Sequence, residues 1–324
     1  MVTMQILVTG CAGFIGSQLC ARLLERGHAV RGLDDFDATL YPSERHRAQL
    51  AGLLGRAGFT FSEGDIVDSP ELPRLASGCD VVVHLAALAG VRPSLSQAAR
   101  YMRVNVEGTQ RVLDVCRQAE VRRLVFASSS SVYGARSQVP FREDDPANEP
   151  ASPYAASKRA GELICATHSA LYGTAIAALR FFTVYGPHQR PEMAIAKFAR
   201  CVLRDEKVPL YGGGDSARDY TYVDDILDGV EAAIARTAAP VAPFRVYNLG
   251  GARTTTLRQL VELLESALGR RADIEWLPPQ PGDVPITYAD TSRSAAELGY
   301  APKVDIAEGI ARFCAFVRQH PELL

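Results

Sequence analysis

Tyr154 and Lys158 stand four residues apart in SPYAASK, residues 152–158, at the start of an amphipathic stretch. On a helix that spacing puts both side chains on one face. A free phenol titrates near pH 10, at about 10, too high for a base at neutral pH. A neighbouring ammonium favours the phenolate and lowers that value. Upstream, residues 128–131 are four consecutive serines, SSSS, whose hydroxyls can each donate and accept at once. Alone, the Tyr/Lys pair reads as a solvated helix face and the serines as a strand-end turn. Together they read as a base, its electrostatic activator and a proton relay, provided a redox partner lies beside them.

The N-terminal run ILVTGCAGFIGSQLCARLLERG holds Gly10, Gly13 and Gly16 between a strand-like and an amphipathic helical segment. Glycines so placed allow a tight turn, close approach of backbone to a pyrophosphate, and close helix–sheet packing, while the helix N-terminus offers N–H groups to the anion. The next strand ends in RGLDDFD, where Asp34 is placed to accept hydrogen bonds from an adenosine ribose. Its charge repels a 2′-phosphate, and no basic residue follows before Arg45, so NAD is expected rather than NADP.

The elements that position these groups follow from periodicity. Short apolar runs at 5–8, 28–34, 59–65, 80–87, 122–129 and 174–182 alternate with longer helical patterns. This predicts an α/β Rossmann-type fold: a doubly wound parallel sheet covered on both faces. After Tyr185 the chain breaks into GPHQRP, PLYGGGDSARD and LPPQPGDVP, with short helices at 191–205 and 256–268. A dinucleotide-binding domain is therefore expected over 1–184 and a smaller, loop-rich substrate lobe over 185–324, with a strand and helix in 218–250 returning to the first.

With 324 residues, 47% hydrophobic and 22% charged, the chain can bury a sizeable core, and its formal charge of −2 gives no general attraction to nucleic acid or anionic membrane. Seven cysteines stand singly with no CxxC pair, which suits reduced thiols and a cytoplasmic location. The N-terminus lacks a signal-peptide pattern, and the longest apolar run, VVVHLAALAGV from Val81, is too short to cross a bilayer. No metal-ligand pattern is evident.

The ordered set GCAGFIG, HLAA at 84–87, the serine run and YxxxK resembles the extended short-chain dehydrogenase/reductase family, and within it the nucleotide-sugar epimerases. The resemblance spans nearly the whole sequence. It implies that Phe14 and Ile15 join the three glycines at the cofactor, that Asp65 and Ile66 flank the adenine, and that Leu85, Ala86 and Ala87 follow the cofactor backbone. It places Asn105 in a helix bordering the site, makes Ser129 the hydroxyl bridging substrate and Tyr154, and gives Lys158 a hydrogen bond to the nicotinamide ribose. Ser130 and Ser131 become substrate contacts. It also implies that Arg218 pairs with a UDP diphosphate, that Pro209 and Tyr211 hold the uracil, that Asp283 binds the uridine ribose, and that the protein is a homodimer built on the Asn105 and Tyr154 helices.

Dehydratases and decarboxylases of that family carry acidic residues at the strand end where this chain has only serines, so oxidation followed by simple re-reduction, an epimerisation with tightly bound NAD, is expected. RFFTVYGPHQRPEMA and QPGDVPITYAD look like the corresponding segments of UDP-glucuronate 4-epimerases. By that likeness, Thr183 and Arg190 receive the sugar carboxylate of UDP-glucuronate. Epimerisation of neutral UDP-sugars such as UDP-glucose is the alternative, and a non-catalytic dinucleotide sensor on the same fold is a third reading, weakened by the presence of both Tyr154 and Lys158.

Overall fold

The computed structural model describes residues 3–136, 138–239, 243–278 and 284–321. Strands β1 (Gln5–Thr9), β2 (Ala29–Asp34), β3 (Phe59–Glu63), β4 (Val81–His84), β5 (Arg123–Ser129) and β6 (Ala175–Phe181) fall on the six apolar runs. Beyond them come β7 (Thr183–Tyr185), β8 (Val208–Tyr211), β9 (Ala217–Arg218), β10 (Tyr220–Tyr222), β11 (Phe244–Leu249), β12 (Thr255–Thr256) and β13 (Ile274–Leu277). The main sheet runs β3-β2-β1-β4-β5-β6-β11, and its pairs are parallel.

Side-chain alternation along the strands splits the core between two faces. Ile6 and Val8 of β1 and Val81 and Val83 of β4 enter one cluster, whereas Leu7 and Val82 enter the other. Each fully buried side chain of this size contributes about 1.5–3 kcal/mol from the hydrophobic effect. The first cluster continues without a break into the C-terminal part, through Leu260 and Leu264 of helix Leu257–Leu268 and Phe313 and Val317 of helix Ile306–Gln319. The two parts of the chain share a core.

The 218–250 stretch divides differently from the sequence reading. β10 pairs with β7 in a separate two-stranded sheet, helix Val223–Arg236 packs against β5 and β6, and β11 supplies the seventh strand of the main sheet. Helix Pro153–Tyr172 is fixed at both ends by its sequence: the Ser152 hydroxyl accepts from the Ala155 N–H at 3.1 Å, Pro153 fills the first position, and Gly173 closes it in the left-handed conformation at φ 69°.

Candidate active site

Strand order reverses between β1 and β4, and a crevice opens at their C-terminal ends. Gly10, the first residue after β1, has φ +75° and donates to the Leu33 carbonyl at 2.8 Å. A Cβ there would lie 2.7 Å from the Ala86 backbone nitrogen, and one at Gly16 would collide with the Gly10 carbonyl oxygen. Only glycine lets the loop and the β4 turn come this close. Gly13 leads into helix Phe14–Glu25, whose first N–H groups lack helical acceptors. Gly10, Gly13, Phe14, Ile15 and Gly16 line one wall of the pocket, and Asp65, Ile66, Leu85, Ala86 and Ala87 line others.

Asp34 ends β2 and is buried, with its carboxylate accepting from the Ala12 N–H and the Phe36 N–H, both at 2.9 Å. Burial pushes its pKa up. It therefore braces the glycine loop while lining the pocket, and each oxygen keeps a second acceptor site for a ribose hydroxyl. Asp35 beside it is pushed up to about 6, first by burial and then by the Asp34 charge. A glycine cradle, free helix N–H groups and a pair of acids at the ribose end fit an NAD without a 2′-phosphate.

Tyr154, in the first turn of helix Pro153–Tyr172, and Ser129, at the end of β5, meet in the same pocket. Burial pushes the Tyr154 phenol up, and the opposing influences are the Ser129 hydrogen bond and the Arg190 charge. The Lys158 ammonium is turned into the protein, donating to the Ala127 carbonyl at 2.8 Å, and burial lowers it to about 8. The sequence spacing puts the lysine on the same face as Tyr154, and its ammonium is held at β5. Ser129 Oγ also accepts from the Ser131 N–H at 3.2 Å and contacts Ser131 Oγ at 2.9 Å, in the single turn Ser130–Tyr133. Ser130 and Ser131 line the pocket.

Thr183 and Arg190 reach the pocket from the other side. Arg190 lies 3.1 Å from a Glu192 carboxylate oxygen. Gly90, at φ 102°, lines the pocket beside Arg190. Asn105 is buried behind the wall, with its amide pairing both backbone groups of Leu88, at 2.8 and 2.9 Å, and donating to Ser157 Oγ at 2.9 Å. It does not line the pocket itself but holds the 85–90 loop that does.

Pro209, Tyr211 and Arg218 lie on β8 and β9, beyond residue 185 and outside the lining of the pocket that holds Tyr154. The Arg92 guanidinium lies 5.4 Å from the Tyr211 ring centroid and links the two regions. Asp283, with the neighbouring Gln280, lies outside the described residues. Sequence reasoning missed Arg92 and also Tyr41, His46 and Met193, all three of which line the pocket, the first two stacked 4.6 Å apart. An aromatic and a basic residue soon after the acids of DDFDATLYPSERH, and an arginine directly after AGV, were the available signals.

Residues 6–250 match the NAD dependent epimerase/dehydratase family. UDP-glucuronate 4-epimerase 1 of Arabidopsis thaliana is 40% identical over 95% of this chain and 75% of its own length. The crystal structure of UDP-glucuronic acid 4-epimerase from Bacillus cereus, in complex with UDP-glucuronic acid and NAD, superposes with a TM-score of 0.91 at 34% identity, covering 98% of this chain and 99% of that one. DesIV from Streptomyces venezuelae, a dTDP-glucose 4,6-dehydratase solved with NAD bound, gives 0.90 at 33% identity, with 98% of each chain covered.

Proposed function

This chain belongs to the NAD dependent epimerase/dehydratase family, and we propose that it interconverts UDP-glucuronate and UDP-galacturonate by transient oxidation at carbon 4, with NAD held tightly throughout. The observation that carries this reading is the approach of Arg190 to the pocket that holds Tyr154 and Ser129. A cation there suits a sugar carboxylate, and the serine run 128–131 contains no acid to drive elimination.

Tyr154, with Ser129 bridging, removes the proton of the 4-hydroxyl. When bound, NAD supplies the hydride acceptor and, once reduced, the hydride donor. Lys158 favours the phenolate and holds the cofactor's nicotinamide ribose. Arg190 and Thr183 keep the carboxylate out of line with the new ketone, which suppresses the decarboxylation to which a β-keto acid is prone. After the keto sugar turns about its diphosphate linkage, Tyr154 returns the proton and the opposite configuration results. Residues 1–184 hold the cofactor, and Pro209, Tyr211, Arg218 and Asp283 of the 185–324 lobe anchor the UDP. Copies pair through the Asn105 and Tyr154 helices, whose outer faces expose Met102 and Leu163. Buried unpaired cysteines fit a cytoplasmic enzyme.

Neutral UDP-sugars are the second reading, favoured by Glu192, which partly neutralises Arg190. Proton NMR of UDP-glucuronate incubated with the protein in deuterated water without added NAD separates the two. Conversion to the galacturonate form with no deuterium at carbon 4 supports the first. Turnover of UDP-glucose alone supports the second. An Arg190→Ala protein with full activity and affinity toward UDP-glucuronate overturns the carboxylate role.

A further inference from the structure

We infer that His84, clamped between Thr9 and Thr109, is a positioning residue that fixes the 85–90 loop against the helix bearing Tyr154. The inference rests on the reading of Tyr154 as the base. His84 ends β4 and is buried, and nothing in the reaction as described uses it.

The direction of every hydrogen bond around it follows by elimination. The Thr109 hydroxyl donates to the Asn105 carbonyl at 2.6 Å. With its one proton spent there, it can only accept from His84 Nε2 at 3.1 Å, so that nitrogen carries the hydrogen. Burial, helped by the nearby Lys158 charge, lowers His84 to about 3, so the ring is neutral and Nδ1 is an acceptor. Thr9 Oγ1, 2.8 Å away, must therefore donate to it, which leaves that oxygen to accept the Ala86 N–H at 3.4 Å.

The relay continues on the far side. Asn105, whose carbonyl ends the first half, holds both backbone groups of Leu88 and donates to Ser157 Oγ, and the Ser157 hydroxyl donates to the Tyr154 carbonyl at 2.8 Å. Asn105 sits in the π-helical turn Arg103–Glu107, a distortion found mostly at functional sites. One oriented path thus runs from the Ala86 N–H, against which Gly10 packs, to the backbone of the catalytic tyrosine. Charging the ring would set an Nδ1 proton against the Thr9 hydroxyl proton, and reversing the tautomer would in addition leave a bare Nε2 facing the Thr109 oxygen, whose own proton is already given to Asn105.

The test is ¹⁵N NMR of histidine-labelled protein, with His84 assigned by its loss in His84→Gln. The expected spectrum is a neutral Nε2–H tautomer that does not titrate between about pH 5 and 9, whereas an unperturbed histidine changes charge near pH 6.5, at about 6.5. Thr109→Val is expected to mix the tautomers and lower kcat roughly tenfold with KM nearly unchanged, the rate equivalent of one lost buried hydrogen bond. Thr109→Ser is expected to restore both the spectrum and kcat. A Nδ1–H tautomer, titration in that range, or a Thr109→Val protein with undiminished kcat overturns the inference. The kinetics are run on whichever UDP-sugar the wild-type protein turns over, so failure on UDP-glucuronate counts against the substrate assignment and leaves the His84 result standing. Should Thr109→Val fail to fold, the wild-type spectrum decides.

Discussion

Glu162 and Arg180 face each other with both side chains buried, joined by two contacts of 2.8 Å each. Glu162 lies one helical turn beyond Lys158, on the helix that also carries Tyr154, and Arg180 lies on β6. The Ser128 hydroxyl donates to the same carboxylate at 2.6 Å, immediately before Ser129. The ion pair therefore ties the helix that carries Tyr154 to β6, and the Ser128 hydrogen bond ties the same helix to the end of β5, where Ser129 stands. Arg180 also lies over the Tyr133 ring, 4.7 Å from its centroid, and the Tyr133 hydroxyl donates to Asn248 Oδ1 at 2.6 Å on β11.

Glu162→Gln is expected to cost about 3–5 kcal/mol, because Arg180 is left as a buried charge without its counterion. Urea unfolding at neutral pH measures the loss, and an unchanged midpoint would remove the pair from the account. Burial alone would raise the Glu162 pKa, but hydrogen bonds from Arg180, Ser128 and Arg159 hold it below its ordinary value. Its contribution is therefore complete above the ordinary glutamate value of 4.5 and lost as pH falls through the lower folded value. Wild type should show that acid dependence and the variant should lack it.

The parts of this molecule that strand period and backbone necessity dictate were legible in the sequence. The six apolar runs became six parallel strands, and Gly10 and Gly16 sit where a Cβ has no room. Side-chain direction was less legible. YxxxK placed Lys158 on the face of Tyr154, yet nothing in that spacing says that the ammonium bonds the Ala127 carbonyl. Asn105 was assigned to the helix at the site, while its use as a clamp on Leu88 depends on a loop folding back from β4. Tyr41 escaped notice because it sits in an irregular segment, and His46 because its short helix, Ser43–Ala51, is polar and has no apolar stripe to tell which way a side chain points. Glu162 and Arg180 look in sequence like ordinary surface charges, and only the packing of the 153–172 helix on β6 buries them.

Glu192→Gln tests whether Arg190 is held in reserve for a carboxylate. The 3.1 Å ion pair with a partly exposed glutamate is the kind of contact that contributes about 0–1 kcal/mol, so an incoming carboxylate can displace it. Removing the competitor should lower KM for UDP-glucuronate by up to about fivefold, the binding equivalent of that energy, and leave KM for UDP-glucose unchanged. Steady-state kinetics on both sugars provide the comparison. Equal changes for both would mean that Glu192 acts on something the two substrates share.

Lys158 should make stability and turnover move in opposite directions with pH. Burial brings its folded pKa from 10.5 down to about 8. Between those values the unfolded chain binds a proton that the folded chain has released, so stability rises with pH across the window. The gain, at most about 3 kcal/mol at 1.36 kcal/mol per pH unit, is fully developed only near the unfolded pKa. On the proposed mechanism, in which the ammonium favours the Tyr154 phenolate, turnover should fall above about pH 8. The experiment follows chemical unfolding of the cofactor-free protein from neutral to alkaline pH, with Lys158→Met as reference. Wild type should gain on the variant as pH rises, while its own turnover declines over the same interval. A wild-type protein whose stability relative to Lys158→Met did not change with pH would show that the ammonium is well solvated in the folded state, and one that lost stability would show that the folded chain favours the charged form; in either case the alkaline fall in turnover would need another group.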